Sequence, residues 1–217
     1  SVEEMIAAFE DYLNQGMMGV KMKLGHEDPK IDIDRVAGVR KALGDDVWVA
    51  TDANQKWDYP TAMMVGRELE QLNVAWFEEP LWCDDIPGHA RLADDLDIPI
   101  AMGETLGSRY EFNAYIRADA ADILQPDICR VGGITEMVKI VHMGQVAGRP
   151  IQPHHMMEST IQVACGVMSS GAIEYMPWVS GAFSEPMRIE DGQMFPPQKP
   201  GLGLEIPEGV IKKYRIE

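Results

Sequence analysis

Three acidic residues recur at the ends of successive apolar stretches of this 217-residue chain. Asp52 follows the apolar start of "VATDAN", Glu78 lies 26 residues later in "WFEEP", and Glu104 ends "IAMGE" after a further 26. Singly, each acid is more often a helix cap or a turn residue. Three carboxylates brought together need a cation between them, and oxygen ligands alone favour Mg²⁺ over Zn²⁺. The spacing therefore predicts a Mg²⁺ site, with the adjacent Glu79 turned away as a structural residue.

Two lysines stand two positions apart in the apolar stretch "VKMKL". On a strand, Lys21 and Lys23 would point to the same face. A half-solvated strand could carry both without any function. In a closed barrel, both ammonium groups would instead enter the mouth, where each should lower the pKa of the other and make one of them a base. We expect this second arrangement.

Polar residues also end the next three apolar stretches. Asp127 ends "ILQPD", His154 follows in "IQPHH", and Glu174 lies in "AIEY", at intervals of 27 and 20 residues. A carboxylate bonded to an imidazole fixes its tautomer and raises its basicity, so we expect Asp127 to orient His154, with His155 turned away. The glycines of "RVGGI" fit either a helix N-terminus that binds an anion or a tight turn between strand and helix.

The elements that must position these residues alternate along the chain. Helical patterns start near Ser1, Pro29, Tyr59, Ile86, Arg109, Gly133 and Met157. The apolar runs between and after them predict seven strands, in "GVKMKL", "VWVATD", "VAWFEE", "IPIAMGE", "ADILQPD", "RPIQPH" and "AIEY". This alternation indicates an α/β fold, and a closed (β/α)8 barrel would need eight strands. Either a first strand precedes Ser1, or the sheet is open.

Composition narrows the class of protein. The net charge of −16 argues against nucleic-acid binding, and no apolar run is long enough to cross a membrane. Three scattered cysteines indicate reduced thiols and a cytoplasmic protein. We expect a barrel domain over residues 1–180, with the Pro- and Gly-rich residues 181–217 as a separate C-terminal segment.

The motifs "KMK", "TDAN", "EEP", "GE", "QPD" with "RVGG", "PHH" and "IEY" resemble the enolase superfamily in its mandelate racemase branch. The resemblance to this mandelate racemase and muconate lactonizing enzyme barrel runs from about Gly19 to Glu174 and extends into the tail. It implies a (β/α)7β TIM-like barrel capped by an α+β domain. We expect the first strand and the N-terminal capping domain to be absent here, and the segment 181–217 to return toward that cap.

The resemblance also implies roles for single residues. Asp52, Glu78 and Glu104 would bind Mg²⁺, and Lys23 would be a base tuned by Lys21. His154, oriented by Asp127, would be the acid or base on the other face of the substrate. Glu174 would hydrogen-bond a carboxylate oxygen of the substrate, and Asn54 would touch the substrate. The muconate cycloisomerase branch resembles this chain less, because it has lysine at position 127 and usually aspartate at position 104.

The implied reaction is Mg²⁺-dependent removal of the proton α to a carboxylate, which gives an ene-diolate. Dehydration of an acid sugar to a 2-keto-3-deoxy acid is the favoured outcome, by a soluble homo-oligomer with a small carboxylate substrate. A racemase or epimerase of a 2-hydroxy acid is the alternative. A catalytically inactive Mg²⁺-binding barrel and an aldolase with Lys23 as a Schiff base also stay open.

Overall fold

A parallel sheet forms the centre of the molecule. The structure is a computed structural model that describes residues 1–169 and 171–216. The sheet has five strands, paired in chain order: β1 (Gly19–Lys23), β2 (Trp48–Asp52), β3 (Phe77–Glu78), β4 (Ile100–Met102) and β5 (Ile123–Leu124). Successive strand–helix units produce this in-order parallel pairing, and the predicted α/β class is confirmed.

The structure describes eight helices, of which the first seven form one layer outside the sheet. They are α1 (Val2–Asn14), α2 (Pro29–Leu43), α3 (Tyr59–Gln71), α4 (Ile86–Asp95), α5 (Arg109–Arg117), α6 (Ile134–Val146), α7 (Met157–Val167) and α8 (Glu208–Tyr214). From α1 to α7, each helix packs against the next one in the sequence. Among the described residues, no helix combines the length and the apolar character that crossing a membrane requires.

Buried side chains join the sheet to this helical layer. One apolar cluster includes Met22 and Phe77 from the strands and Val36 and Leu69 from the helices. A second cluster continues along the sheet under β4 and β5. Burying one such large side chain stabilises the fold by roughly 1.5–3 kcal/mol. This packing on the helix side of the sheet fixes the positions of the strand ends.

Short polar side chains cap the N-termini of four helices. Ser1 and Glu4 form the predicted capping box of α1. Asp28, Asp58 and Asp85 cap α2, α3 and α4, and each is followed by a proline in the first two helical positions. A cap of this kind contributes about 1 kcal/mol and fixes where the loop ends.

The Arg40 side chain connects α2 to the turns that precede β2 and β3. Its guanidinium donates hydrogen bonds to the carbonyl oxygens of Leu72 at 2.9 Å and of Gly44, Val47 and Asn73 at 2.7 Å. The side chain is buried in α2, and these carbonyls belong to the turns before β2 and β3. A single side chain thus satisfies carbonyl groups that would otherwise lack partners.

The prediction of a sixth strand is wrong, because its segment forms no continuous ladder with β5. Its segment meets β5 and the residues after it only through two isolated parallel bridges, Leu124 with Ile151 and Asp127 with His154. Gln152 and His154 donate their backbone N–H groups to the carbonyls of Leu124 and Pro126, but Pro126 has no N–H to donate in return, which interrupts the ladder. The segment still follows β5 closely enough to place His154 beside Asp127.

The seventh predicted strand, 172–175, is also wrong, because these residues form no strand in the structure. Side chains hold the segment instead. Gln152 accepts a hydrogen bond from the backbone N–H of Ala172 at 2.6 Å, and Glu174 accepts one from the backbone N–H of His155 at 3.0 Å. The segment therefore lies next to residues 151–155 without a backbone ladder.

The C-terminal segment contains structure that the sequence patterns did not predict. A 3-10 turn (Ser180–Ala182) precedes a two-stranded antiparallel hairpin, β6 (Arg188–Glu190) and β7 (Gln193–Phe195). Its turn residues, Asp191 and Gly192, have φ angles of 47° and 70°, as an Asp-Gly hairpin turn requires. The boundary at residues 180/181 and a return toward a capping domain stay predictions.

Candidate active site

The strand register brings three of the predicted site residues side by side. Lys23 pairs with Asp52 across β1 and β2, and Asp52 pairs with Glu78 across β2 and β3. Glu78 in turn pairs with Ala101, so Glu104 lies three residues beyond this level. The three carboxylates are therefore not at equal depth along their strands, although their intervals along the sequence are both 26 residues.

A glycine at the end of β4 lets the chain bend toward the other two acids. Gly103 has a φ of 145°, and an added Cβ would lie 2.9 Å from the backbone nitrogen of Gln125 and 2.8 Å from the ring of Phe112. Only glycine fits both the angle and the close approach. After this bend, Glu104 lies close to Asp52 and Glu78.

The three carboxylates form a group that could hold a metal ion. One oxygen from each of Asp52, Glu78 and Glu104 lies within 4.8 Å of the others, close to the roughly 4.2 Å that separates opposite oxygens around Mg²⁺. Burial raises the pKa of both Glu78 and Glu104. The Glu104 Oε2 atom is buried and has no hydrogen-bond partner among the described residues. An all-oxygen set with one orphaned buried oxygen fits Mg²⁺.

The two lysines enter this group of acids. Lys23 forms an ion pair with Asp52, and the Lys21 ammonium lies 3.0 Å from Glu78 and 2.7 Å from Glu174. Burial alone would lower the pKa of Lys21, but the carboxylates around it raise that pKa well above its ordinary value. The prediction that the lysines lower each other's pKa is therefore wrong for Lys21, whose nearest neighbours are anions.

Glu174 accepts hydrogen bonds in this arrangement. Its oxygens contact the Lys21 ammonium and the backbone N–H of His155. Burial alone would raise the pKa of Glu174, but Lys21 and these hydrogen bonds lower it below its ordinary value. A hydrogen bond from Glu174 to a substrate oxygen therefore requires that the carboxylate first gain a proton.

The predicted carboxylate–imidazole pair is present. His154 Nδ1 lies 2.8 Å from Asp127 Oδ2, and Nε2 on the other side of the ring lies 3.4 Å from Glu104 Oε2. Burial alone would lower the pKa of His154, but the hydrogen bond to Asp127 and the nearby Glu104 raise it. Asp127 thus orients a basic imidazole whose free nitrogen points at the carboxylate group.

The turn after β5 fixes Asp127 itself. Its Oδ1 accepts the backbone N–H groups of Cys129 at 2.7 Å and Arg130 at 2.9 Å. Gly132 and Gly133 have φ angles of 87° and 109°, and α6 begins directly after them. Of the two interpretations of "RVGGI", the structure supports the tight turn between strand and helix.

Asn54 and Glu79 lie beside the metal-ligand candidates. The backbone N–H of Asn54 donates to Asp52 Oδ1 at 2.8 Å, and contact between its side chain and a substrate stays a prediction. Glu79 turns away from Glu78, as predicted, and accepts hydrogen bonds from Gln55 and Thr105.

Two donors to Glu78 escaped the sequence reasoning. Gln125 Nε2 lies 2.9 Å from Glu78 Oε2, and the Trp76 indole N–H lies 3.2 Å from the same oxygen. Gln125 is buried, and a glutamine at the end of an otherwise apolar strand was the available signal. The site thus combines a carboxylate group that could hold a cation, two ammonium groups and an oriented imidazole, which together can bind an anionic ligand and move its protons.

Comparison with known proteins gives a consistent result. The model of a family described as Enolase C-terminal domain-like matches residues 4–210. The chain is 41% identical over 193 residues to L-talarate/galactarate dehydratase of Salmonella typhimurium, covering 89% of this chain and 48% of that protein. It is 36% identical over 216 residues to arabinonate dehydratase of Saccharolobus solfataricus, covering 95% and 57% of the two chains.

A solved structure shares the fold closely. The L-talarate dehydratase of a Polaromonas species, complexed with Mg and L-glucarate, superposes with a TM-score of 0.93 at 41% identity. The match covers 98% of this chain and 59% of that one. The parallel barrel-type fold is therefore shown, while the chain spans only about half the length of the curated relatives it matches.

Proposed function

The chain belongs to the Enolase C-terminal domain-like family, and from that premise we propose that the protein is a Mg²⁺-dependent dehydratase of acid sugars. The observation that carries the proposal is the Asp127–His154 pair, whose free nitrogen lies 3.4 Å from Glu104 of the carboxylate triad. An imidazole beside a cation site suits a substrate that binds the cation through its carboxylate and exchanges a proton with the ring.

His154 is proposed as the group that returns a proton to the leaving hydroxyl. Asp127 holds Nδ1 and stabilises the protonated ring, so Nε2 is free to face a substrate. Because its pKa is raised, the imidazolium form is more populated near neutral pH than in an ordinary histidine. That form is the one a leaving hydroxyl needs.

Lys23 is proposed as the group that removes the α-proton. It extends from the last residue of β1 at the level of Asp52 and is about half exposed, so it can reach a ligand at the mouth. Lys21 lies between Glu78 and Glu174 and holds both carboxylates in place. The two lysines thus have different roles, although they share one face of one strand.

Asp52, Glu78 and Glu104 are the residues proposed to hold Mg²⁺. When bound, Mg²⁺ would polarise the substrate carboxylate and neutralise the negative charge that develops on it. Glu174, once protonated, would donate a hydrogen bond to a carboxylate oxygen of the substrate. Burial of Asp52 and Glu78 keeps water away from their charge and strengthens the interactions that these two acids make.

The reaction balances without an oxidant or a reductant. The C2–H bond breaks, and its proton goes to the lone pair of Lys23 in its neutral amine form, after the ammonium that pairs with Asp52 has released its own proton to solvent. The C3–O bond then breaks, and the hydroxyl leaves as water with a proton from His154. The remaining enol tautomerises to the 2-keto-3-deoxy acid. Any substrate therefore needs a carboxylate, a C2 proton and a C3 hydroxyl.

Acid sugars meet these requirements, and the names of the relatives support the class. One relative is a dehydratase of the diacids L-talarate and galactarate, and another a dehydratase of the monoacid arabinonate. We therefore propose aldaric and aldonic acids as the substrates to test, with the diacids first because that relative is more similar.

A screen tests the proposal. The protein at its native length would be incubated with aldarates and aldonates in Mg²⁺, and 2-keto acid would be detected as its semicarbazone. We expect one stereochemical series to give 2-keto acid, with the signal lost in EDTA and in His154→Asn. An epimer as product would indicate a racemase or epimerase, and an adduct trapped on Lys23 by borohydride an aldolase. No product from any acid, despite Mg²⁺ binding, would contradict the proposal and indicate an inactive barrel.

A further inference from the structure

A second polar group lies directly behind the carboxylate triad. Gln55, Glu79 and Thr105 follow Asp52, Glu78 and Glu104 by three, one and one residues. Their side chains bond to one another rather than to the triad. Gln55 Nε2 lies 2.9 Å from Glu79 Oε2 and 2.8 Å from Thr105 Oγ1, and the Thr105 hydroxyl donates to Glu79 Oε1. We call these three residues the polar frame.

The polar frame is fully bonded, and its carboxylate is buried, whereas Gln55 and Thr105 are partly buried. Glu79 is only 1% exposed, and each of its oxygens accepts a hydrogen bond from another member of the polar frame. The Gln55 Oε1 atom accepts the backbone N–H of Cys83 at 2.9 Å. A buried carboxylate costs free energy unless it is bonded, and a fully satisfied network of this kind is rigid. The frame therefore connects the loops after β2, β3 and β4 firmly.

The backbone bends at the same residues. Gln55 and Glu79 have φ angles of 64° and 40°, in the left-handed region that favours glycine. The backbone N–H of Gln55 also donates to the carbonyl of Glu79 at 2.8 Å. Non-glycine residues keep such angles only where the surrounding structure enforces them. Here the enforcing contacts come from the polar frame.

Short strands explain why a polar frame is needed. β3 contains two residues and β4 three, so few ladder hydrogen bonds fix the strand ends from which Glu78 and Glu104 project. Glu104 also lies beyond the paired part of β4. Contacts between loops must then determine how far apart the three carboxylates lie.

We propose that Gln55, Glu79 and Thr105 are positioning residues, which hold Asp52, Glu78 and Glu104 at the separation that one Mg²⁺ requires. This inference rests on the proposed function in one respect, since it takes the triad as the Mg²⁺ site. The residues of the polar frame act through the three ligands and do not touch the ion. Loss of one of their hydrogen bonds should reduce the free energy of Mg²⁺ binding more than it reduces the free energy of unfolding.

Titration calorimetry with Mg²⁺ on the protein at its native length tests this inference. Thr105→Val removes the hydroxyl and keeps the side-chain shape, whereas Thr105→Ser keeps the hydroxyl. Thr51→Val is the matched control, because Thr51 is a fully buried threonine beside Asp52 that donates to the carbonyl of Trp76, outside the polar frame. We expect Thr105→Val to weaken Mg²⁺ binding about 10-fold or more, as loss of outer-shell partners does. Thr105→Ser and Thr51→Val should bind within about 3-fold of the wild type.

Glu79→Gln provides a second variant if Thr105→Val fails to fold, and it should also weaken Mg²⁺ binding about 10-fold. Wild-type affinity in both Thr105→Val and Glu79→Gln would overturn the positioning role while leaving the Mg²⁺ site intact. Equal losses in Thr51→Val and Thr105→Val would also overturn it, since general destabilisation would then explain both. A wild-type protein that binds no Mg²⁺ would overturn the Mg²⁺ site and the positioning role together.

Discussion

At the scale of single residues, Glu104 gives the strongest support for the proposed Mg²⁺ site. Its Oε2 atom is buried without a hydrogen-bond partner among the described residues, and burial raises its pKa. A buried polar atom without a partner costs about 1–3 kcal/mol. A bound cation would remove that cost and would also offset the repulsion from Asp52 and Glu78.

Glu104→Gln should therefore weaken Mg²⁺ binding strongly. Loss of an outer-shell partner costs 10–100-fold in affinity, so loss of a ligand charge should cost at least about 100-fold. Calorimetry would measure the dissociation constant, with Glu68→Gln as the control because Glu68 is an exposed glutamate on α3. Unchanged affinity in Glu104→Gln would remove Glu104 from the site.

Variants of Glu174 test whether its side chain donates a hydrogen bond to the substrate. If it donates a hydrogen bond to the substrate, Glu174→Gln keeps a donor and Glu174→Ala does not. We expect kcat to fall about 100-fold or more in Glu174→Ala, the size of effect seen when one donor to a developing oxyanion is removed. Glu174→Gln should lose less than about 10-fold. Equal losses in the two variants would show that its carboxylate, and not a donated hydrogen bond, is what matters.

The residues of the site were predictable where they end a strand. Spacing alone placed Asp52, Glu78 and Glu104 together, because parallel strands deliver their ends to one edge of a barrel. Protonation behaviour was not predictable in the same way. The pKa of Lys21 depends on which groups surround it in three dimensions, and the acids around it come from β2, from β3 and from residues 172–175.

At the scale of elements, the loops between the helices and strands stabilise the fold and also contain residues of the candidate site. Arg40 connects α2 to the turns before β2 and β3 through four hydrogen bonds to carbonyl oxygens. Its guanidinium is a charged donor, and a hydrogen bond to a charged group contributes about 1.5–3 kcal/mol to stability. Replacing it leaves several carbonyls without partners at once.

Arg40→Met should accordingly lower the free energy of unfolding by about 3 kcal/mol, since buried carbonyl groups lose their donors. Chemical denaturation would measure this change. The control is Arg117→Met, at an exposed position in the last turn of α5, which should change stability by less than about 0.5 kcal/mol. A loss at Arg40 no larger than the loss at Arg117 would contradict the role given to the buried guanidinium.

Element positions were largely predictable, and the failures have local causes. The predicted starts of the helices agree with the structure to within a residue or two, because capping residues and prolines mark them clearly. The sixth strand failed where Pro126 interrupts the ladder, and the seventh where side chains replace backbone pairing. The Asp191-Gly192 turn was a readable hairpin signal that the Pro- and Gly-rich composition of the tail obscured.

At the scale of the whole molecule, Mg²⁺ binding should stabilise the fold, because the ligands come from three different strand ends. A ligand at 100 times its dissociation constant stabilises the native state by about 2.7 kcal/mol. For a domain of this size we expect a rise in Tm of roughly 5–10 °C. Scanning calorimetry with Mg²⁺ and with EDTA would measure it, and an equal rise in Glu104→Gln would show that the ion binds elsewhere.

The length of this chain, compared with the length of its relatives, determines which properties of the whole protein stay proposals. It spans about half the length of the curated relatives, so the proposed activity is a property to be tested at native length. The fold class and the family were predictable from strand-end motifs distributed over most of the chain. The homo-oligomer and the cytoplasmic location stay predictions, since neither is encoded in a contact within the described part of the chain.

The most direct test of the central claim follows the α-proton itself. Proton NMR in D₂O would monitor the C2–H signal of an acid sugar incubated with Mg²⁺ and the protein at its native length. We predict that the wild type removes this signal and forms the 2-keto-3-deoxy acid, and that His154→Asn forms keto acid at least about 100-fold more slowly, since a positioned acid or base contributes that much. A C2–H signal that persists with every acid sugar, or a His154→Asn variant as fast as the wild type, would contradict the account.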